Sequence, residues 1–172
     1  TDIAKITLSA VFPLLKQLNI RLLFKAHPKD KGYERNAYKD IAHSFGELWT
    51  DITNHNLLEC IYKYTPSVLL TQYSSVAIEV GFYGIPSVNI LLSDAGGKLI
   101  KLDKGYTIPP WCISNAAVVI ENISDLDGLL TPLLFNNNLR QTIISNFMMW
   151  FGDQPTTSQA ANVILGMNIN NL

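Results

Sequence analysis

Two neighbouring serines, followed by a glutamate, lie in the stretch "TQYSSVAIEVGFYGIP" at residues 71–86, whose hydroxyl and carboxylate groups could bind a ligand. The apolar run that precedes Ser74 and Ser75 predicts a buried strand that turns directly into a helix. Serine is a favoured N-cap residue, and the first N–H groups of a helix have no partner inside the helix. Two hydroxyls, these N–H groups and the positive end of the helix dipole suit a phosphate group. We therefore predict a phosphate site at Ser74 and Ser75, with simple helix capping as the alternative.

A glutamate stands one helical turn inside the same predicted helix. With Ser75 as the N-cap, Glu79 is the fourth helical residue, whereas a capping box uses the third. Glu79 shares a helix face with Ser75, so its carboxylate could accept hydrogen bonds from both ribose hydroxyls of a nucleotide whose phosphate binds the serines. Ala77 and Gly81 are predicted to pack on the sheet, and Gly84 to end the helix in the left-handed conformation.

The histidine of "IRLLFKAHP" ends another predicted strand and precedes a proline. Ligands of open parallel sheets bind beyond the carboxyl ends of the strands, so we expect His27 near the two serines. There its imidazole could neutralise a leaving phosphate and act in catalysis; a ring that only hydrogen-bonds the backbone is the alternative. The same edge is predicted to carry further cleft residues, namely Lys25, Thr71, Gln72, Tyr73 and Asp94.

The elements that position these residues alternate between helices and strands, which predicts an α/β fold with a mostly parallel sheet in a Rossmann-like three-layer domain spanning 1–172. Strands are predicted at 20–26, 48–53, 67–71, 87–92 and 116–120. Helices are predicted at 3–18, 36–46, 56–64, 75–83, 124–135, 139–149 and 157–166, with a loop at 93–111.

The order of these elements is unusual because it begins with a helix. A doubly wound sheet places its first strand at the centre, between the second and the fourth. If the strand at 20–26 is the second one, the central strand lies before Thr1. We therefore expect the first strand to be missing and the chain to be a piece of a longer, two-domain protein.

Composition narrows the function classes. The chain has 172 residues, 48% of them hydrophobic and 16% charged, which is typical of one packed globular domain. Thirteen basic residues against fourteen acidic ones indicate no broad nucleic-acid or membrane surface. No apolar run is long enough to span a membrane.

The well-separated Cys60 and Cys112 are expected to be reduced thiols of a cytosolic protein. The motifs of dinucleotide oxidoreductases, P-loop enzymes, α/β-hydrolases and zinc sites are absent.

Two motifs together resemble a known family. "FKAHP" at 24–28, followed by "VLLTQYSSVAIEVGFYGIPSV" at 68–88, resembles the C-terminal, donor-binding half of GT-B glycosyltransferases. The His-Pro and Ser-Ser pairs resemble those of bacterial sialyltransferases and polysialyltransferases, and they are similar to those of CDP-glycerol glycerophosphotransferases and capsule-polysaccharide transferases. "FGDQPTTSQAANVIL" at 151–165 looks like the last helix of capsule-type enzymes.

The resemblance implies roles for the residues already singled out. His27, Ser74 and Ser75 would hold the phosphate of a CMP- or CDP-linked sugar donor, His27 would serve in catalysis, and Glu79 would hold the ribose. This scheme requires no metal, because a helix end and a histidine can do what a divalent ion does elsewhere, and no cofactor is expected beside the nucleotide-sugar substrate. A glycan acceptor would bind a missing N-terminal domain, so this chain would bind nucleotide without turnover. The resemblance further implies a bacterial cytoplasmic enzyme of surface-polysaccharide or lipooligosaccharide synthesis, with peripheral membrane association of the full protein.

Three alternatives stay open. One is a GT-B transferase that uses a UDP-sugar, or a non-hydrolysing UDP-sugar 2-epimerase, which shares the two-domain architecture. Another is a sugar-nucleotide-binding module without catalysis. A serine hydrolase would need only Ser74 or Ser75 and His27, but the sequence lacks the glycines of a sharp nucleophile turn.

Overall fold

The protein is described by a computed structural model that covers residues 2–27, 38–92, 105 and 107–152. Asp94 and the helix predicted at 157–166 lie outside these residues. The helices are α1 Asp2–Gln17, α2 Lys39–Phe45, α3 Leu57–Tyr64, α4 Val76–Gly81, α5 Pro110–Ile113, α6 Leu126–Phe135 and α7 Asn137–Phe151. The strands are β1 Leu22–Phe24, β2 Trp49–Asp51, β3 Leu69–Thr71, β4 Ser87–Ile90 and β5 Val118–Ile120. Single 3-10 turns stand at Gly46–Leu48 and Ile123–Asp125.

Every strand pairing in the described part of the chain is parallel, which confirms the predicted α/β fold with parallel strands. The strands form two sheets rather than one. β1 pairs with β2, and β3, β4 and β5 follow one another in a second sheet. Leu22 is level with Trp49 in the first sheet, and Thr71 is level with Asn89 in the second.

One face of both sheets packs against α1, α2, α6 and α7. Val88, Ile90 and Ile120 of the second sheet are at most 1% exposed and belong to the same core as the α1 residues Val11, Phe12 and Leu15. The core also includes Phe45, Leu126, Leu130, Leu133 and Ile143 from the other helices, and partly buried residues of β1, β2 and β3 pack against it.

The opposite face of the second sheet is covered by α3, α4 and α5, and the last part of α7 reaches α4 through Phe147. Ala77 of α4 and Trp111 of α5 pack with Leu69 of β3 and Val119 of β5. A neighbouring cluster joins Ile61 of α3 to the same helix α4. Helices therefore lie on both faces of the sheet, as alternating strands and helices predict.

The contacts of helix α1 indicate that the strands of the two sheets run in the same direction. Thr7 in its first half accepts a hydrogen bond of 3.0 Å from the side chain of Gln72, which directly follows β3. Further along α1, the Phe12 ring lies 5.5 Å from the ring of Trp49, the first residue of β2. Since α1 runs opposite to the strands of both sheets, all five strands end on one side, called here the carboxyl edge.

Several strands and helices begin or end at other residues than predicted, because of local hydrogen bonds and backbone conformation. The strand predicted at 20–26 covers only Leu22–Phe24, because the N–H group of Ala26 donates to the Thr53 hydroxyl at 3.0 Å instead of continuing the ladder. The helix predicted to reach Tyr83 ends at Gly81. Gly84 follows it with φ of +72°, which confirms its predicted left-handed conformation.

A short helix, α5, lies where the sequence predicted only a loop. Its first residue is Pro110, and proline suits the first turn of a helix because its missing N–H group has no helical partner there. Helix α7 begins at Asn137, ahead of the predicted residue 139. The Asn136 side chain caps it by accepting from the Leu139 N–H group at 3.1 Å.

Candidate functional site

The turn from β3 into α4 distinguishes the two serines. The Ser74 hydroxyl accepts a hydrogen bond of 3.3 Å from the Val76 N–H group. Ser75 already has helical backbone angles, φ of −60° and ψ of −16°, and its side chain makes no capping bond. Ser74 is partly buried and Ser75 is exposed. Ser74 thus holds the turn, whereas Ser75 presents its hydroxyl to solvent.

The helix N–H groups that we expected to be free are bonded within the turn. Ala77 N–H donates to the Ser74 carbonyl at 3.1 Å, and Ile78 N–H donates to the Ser75 carbonyl at 2.9 Å. The first N–H groups of the helix are therefore not free as expected, and the capping alternative is confirmed for Ser74, whose hydroxyl accepts from Val76 N–H. The Ser75 hydroxyl, in contrast, is exposed and makes no capping bond.

Glu79 stands where the sequence predicted it. Its N–H group donates to the Ser75 carbonyl at 3.2 Å, so the two residues are one helical turn apart on one face of α4. Both side chains are exposed. The carboxylate and the hydroxyl are thus available to one ligand on the outer face of α4, while Ala77 and Gly81 are buried on the inner face, as predicted.

At the end of β1, Lys25 anchors the loop that follows β2. Its ammonium donates to the backbone carbonyls of Thr53 at 3.1 Å and His55 at 2.7 Å, and it lies 3.5 Å from that of Ile52. The predicted cleft residue therefore has a structural task, and its positive charge stays at the carboxyl edge. Two residues later, the His27 side chain is exposed.

Three predicted cleft residues precede the serine turn and connect it to its surroundings. Thr71 is the last residue of β3. Gln72 is bonded to Thr7 of α1, as described above. The Tyr73 ring stacks on the Trp111 ring, with 5.6 Å between centroids and 25° between planes. The turn is thus held from both sides of the sheet, by α1 and by α5.

A buried amide that was not among the predicted site residues lies next to this turn. Asn89 of β4 lies opposite Thr71 and is 0% exposed, and neither its Oδ1 nor its Nδ2 has a hydrogen-bond partner in the described part of the chain. The Nε1 of Trp111 is likewise buried and unpaired among these residues. Leaving such groups unpaired costs about 1–3 kcal/mol each. The signal was visible as one asparagine within the apolar strand "SVNILL".

The two cysteines are buried free thiols. Burial raises the pKa of the Cys112 thiol from 9.0 to about 12, so this side chain stays protonated at neutral pH and is a poor nucleophile. Over residues 2–27, 38–92 and 107–152, no three His, Cys, Asp or Glu side chains cluster in a way that could hold a metal ion.

The carboxyl edge brings the ends of β1 and β3 to one side of the molecule, each in its own sheet. His27 follows β1, and Ser74 and Ser75 follow β3. Within the described residues, none of the helices combines the length and the apolar character needed to cross a membrane. No protein-family model matches the chain, and neither a curated protein nor a solved structure is significantly similar to it.

Proposed function

We propose that this chain is the donor-nucleotide-binding half of a bacterial GT-B glycosyltransferase of surface-polysaccharide or lipooligosaccharide synthesis, with a Rossmann-like domain and a CMP- or CDP-linked donor. One observation carries the proposal. The strands β1 and β3 end on the same side, and each leads into a polar segment with an exposed side chain, His27 in one and Ser75 in the other. Parallel sheets bind nucleotides at this edge.

The proposed roles follow from the chemistry of each group. The hydroxyl of Ser75 donates to a phosphate oxygen, and the imidazole of His27 donates to the same phosphate from the β1 side. As the bond between the sugar and the phosphate breaks, negative charge grows on the phosphate, and these donors stabilise it. Glu79 accepts hydrogen bonds from the ribose hydroxyls. Ser74 acts through the backbone, since it holds the turn that presents Ser75.

The acceptor half of the enzyme would supply the glycan site and the catalytic base. The 172-residue chain is therefore expected to bind nucleotide without transferring sugar. Cytoplasmic location and peripheral membrane association are parts of the same proposal.

The test is a calorimetric titration of the chain with CMP, CDP, UDP and GDP. The proposal predicts a preference for the cytidine nucleotides. His27→Ala and Ser75→Ala should each weaken binding about 10- to 150-fold, because a hydrogen bond to a charged group contributes about 1.5–3 kcal/mol. The matched controls are His43→Ala and Ser44→Ala. Both residues are exposed in α2, and the Ser44 carbonyl accepts from Lys16 near the far end of α1.

The outcomes are distinct. Preference for UDP would favour the UDP-sugar transferases and epimerases, and nucleotide binding without transfer by the two-domain protein would favour a binding module. No nucleotide binding by the folded chain, or equal losses in the α2 controls, would contradict the proposal.

A further inference from the structure

The buried amide of Asn89 lies on the face of the second sheet that α4 and α5 cover. Its neighbours Val88 and Ile90 belong to the core on the other face, and successive side chains of a strand point to opposite faces. The amide is 0% exposed, and its Oδ1 and Nδ2 atoms have no hydrogen-bond partner among the described residues. This degree of burial leaves no room for a water molecule beside the amide.

The indole of Trp111 covers this amide. Trp111 shares an apolar cluster with Val119 of β5, and its ring stacks on that of Tyr73, which follows β3. Asn89 is level with Thr71 of β3 and with Val119 of β5, so it lies between these two contacts of the indole. The indole N–H group is buried and unpaired within the described part of the chain. The indole therefore closes off the amide without forming a hydrogen bond to it.

This closed arrangement is unfavourable, and a different ring would improve it. Each polar group that is buried without a partner lowers stability, and the two side chains contain three such atoms. Trp111 is carried by α5, a single helical turn at Pro110–Ile113. A ring that stacked on Tyr73 in place of the indole, with an acceptor and a donor on adjacent groups, would pair with both polar atoms of Asn89. The hydrogen-bonding edge of a pyrimidine base has this pattern.

We propose that Tyr73 and Asn89 form the base subsite of the nucleotide site, and that Trp111 occupies this subsite until a pyrimidine nucleotide displaces it. The inference rests on the proposed nucleotide-binding function and adds the residues that recognise the base. Thr71, level with Asn89, stands four residues before Ser75, so the subsite adjoins the proposed phosphate contact. With cytosine, Nδ2 of Asn89 donates to N3 and Oδ1 accepts from the amino group, while the ring stacks on Tyr73.

The experiment compares CMP with ribose 5-phosphate, which keeps the ribose and the phosphate and lacks the base. Both are titrated by NMR into the 172-residue chain and into its Asn89→Leu and Asn138→Leu variants. Leucine is similar in size to asparagine and has no polar group. Because the amide is unpaired in the closed arrangement, Asn89→Leu should fold at least as stably as the unchanged chain. Asn138 is exposed in α7 and provides the matched control.

We expect Asn89→Leu to weaken CMP binding about 5- to 150-fold, the effect of losing two neutral hydrogen bonds. Binding of ribose 5-phosphate should not change, and Asn138→Leu should affect neither ligand. The displacement of Trp111 has its own signal in the unchanged chain. CMP should shift the indole N–H resonance of Trp111, which is identified by its loss in Trp111→Phe, whereas ribose 5-phosphate should not. This signal decides the question even if Asn89→Leu does not fold.

Three results would overturn the inference. The first is a ratio of CMP to ribose 5-phosphate affinity that Asn89→Leu leaves unchanged. The second is an indole resonance of Trp111 that does not respond to CMP. The third is cross-relaxation between water and the Asn89 side-chain N–H groups in the ligand-free chain, because a bound water would then already pair with this amide.

Failure of the base subsite differs from failure of the proposed function. If CMP binding depends on Ser75 and not on Asn89, the proposed function stands and the base subsite is wrong. A folded chain that binds neither ligand would contradict both.

Discussion

Ser74 and Ser75 are the same residue type with different tasks. The Ser74 hydroxyl accepts from the Val76 N–H group and fixes the turn, whereas the Ser75 side chain is exposed and makes no capping bond. A hydroxyl that holds the backbone contributes to stability, and a hydroxyl that faces solvent is available to a ligand. The proposed phosphate contact therefore depends on Ser75 directly and on Ser74 through the turn.

The difference between the serines predicts their effects on stability. Ser74→Ala should lower the free energy of unfolding by about 0.5–2 kcal/mol, the usual loss when a capping hydroxyl is removed. Ser75→Ala should change it by less than about 0.5 kcal/mol, as expected for a surface position. Urea unfolding of both variants measures the two values. Equal losses would show that Ser75 also supports the turn.

The buried thiol of Cys112 predicts a pH effect on stability. Its folded pKa is about 12, against 9.0 for an ordinary thiol. Above pH 9 the unfolded chain releases this proton and the folded chain keeps it, so stability is lost as the pH rises from about 9 toward 12. The free energy of unfolding that Cys112→Ala removes should be smaller at pH 10 than at pH 7.5. A cost that does not change with pH would mean that the thiol ionises alike in both states.

At the level of elements, the short helix α4 is positioned by its small residues. Ala77 and Val80 are each 2% exposed, and Gly81 is buried against the ring of Phe147 in α7. A Cβ atom on Gly81 would lie no more than 2.8 Å from three ring carbons of Phe147. The glycine therefore sets how closely α4 and α7 approach each other, and with it the position of Ser75 and Glu79.

Gly81→Ala should destabilise the protein by about 1–3 kcal/mol, because the added methyl group overpacks this contact. The matched control is Gly128→Ala in α6, where a Cβ atom would meet nothing within 4 Å. In that open helical position, alanine should stabilise by about 0.5–1 kcal/mol. Thermal unfolding of the two variants measures both effects. A shift of the melting temperature in the same direction for both would contradict the close approach of α4 and α7.

The sequence predicted well where local patterns decide the structure. Gly84 indicated the end of α4, and the alternation of strands and helices predicted that the strands pair in parallel. Prediction failed where distant contacts decide. The Thr53 hydroxyl accepts from Ala26 N–H, so Ala26 does not continue β1. The stacking of Tyr73 on Trp111 cannot be predicted from the spacing of residues in the sequence. The hydrogen bonds of the N–H groups after Ser74 were predicted wrongly because they depend on the helical backbone angles of Ser75, which the sequence pattern does not determine.

At the scale of the whole molecule, the candidate site is divided between two sheets. His27 follows a strand of one sheet and Ser75 follows a strand of the other, with α1 packed against both sheets. Helix α1 is therefore an element through which the two halves of the candidate site are connected.

The proposed nucleotide site is tested most directly by NMR, with CMP titrated into the isotopically labelled 172-residue chain. If the site is at the carboxyl edge, the largest amide shifts fall at Ala26 and His27 after β1 and at Ser74 to Ala77 after β3, with little change in α2. Shifts that cluster away from the carboxyl edge, or a folded chain that shows none at millimolar CMP, would contradict it.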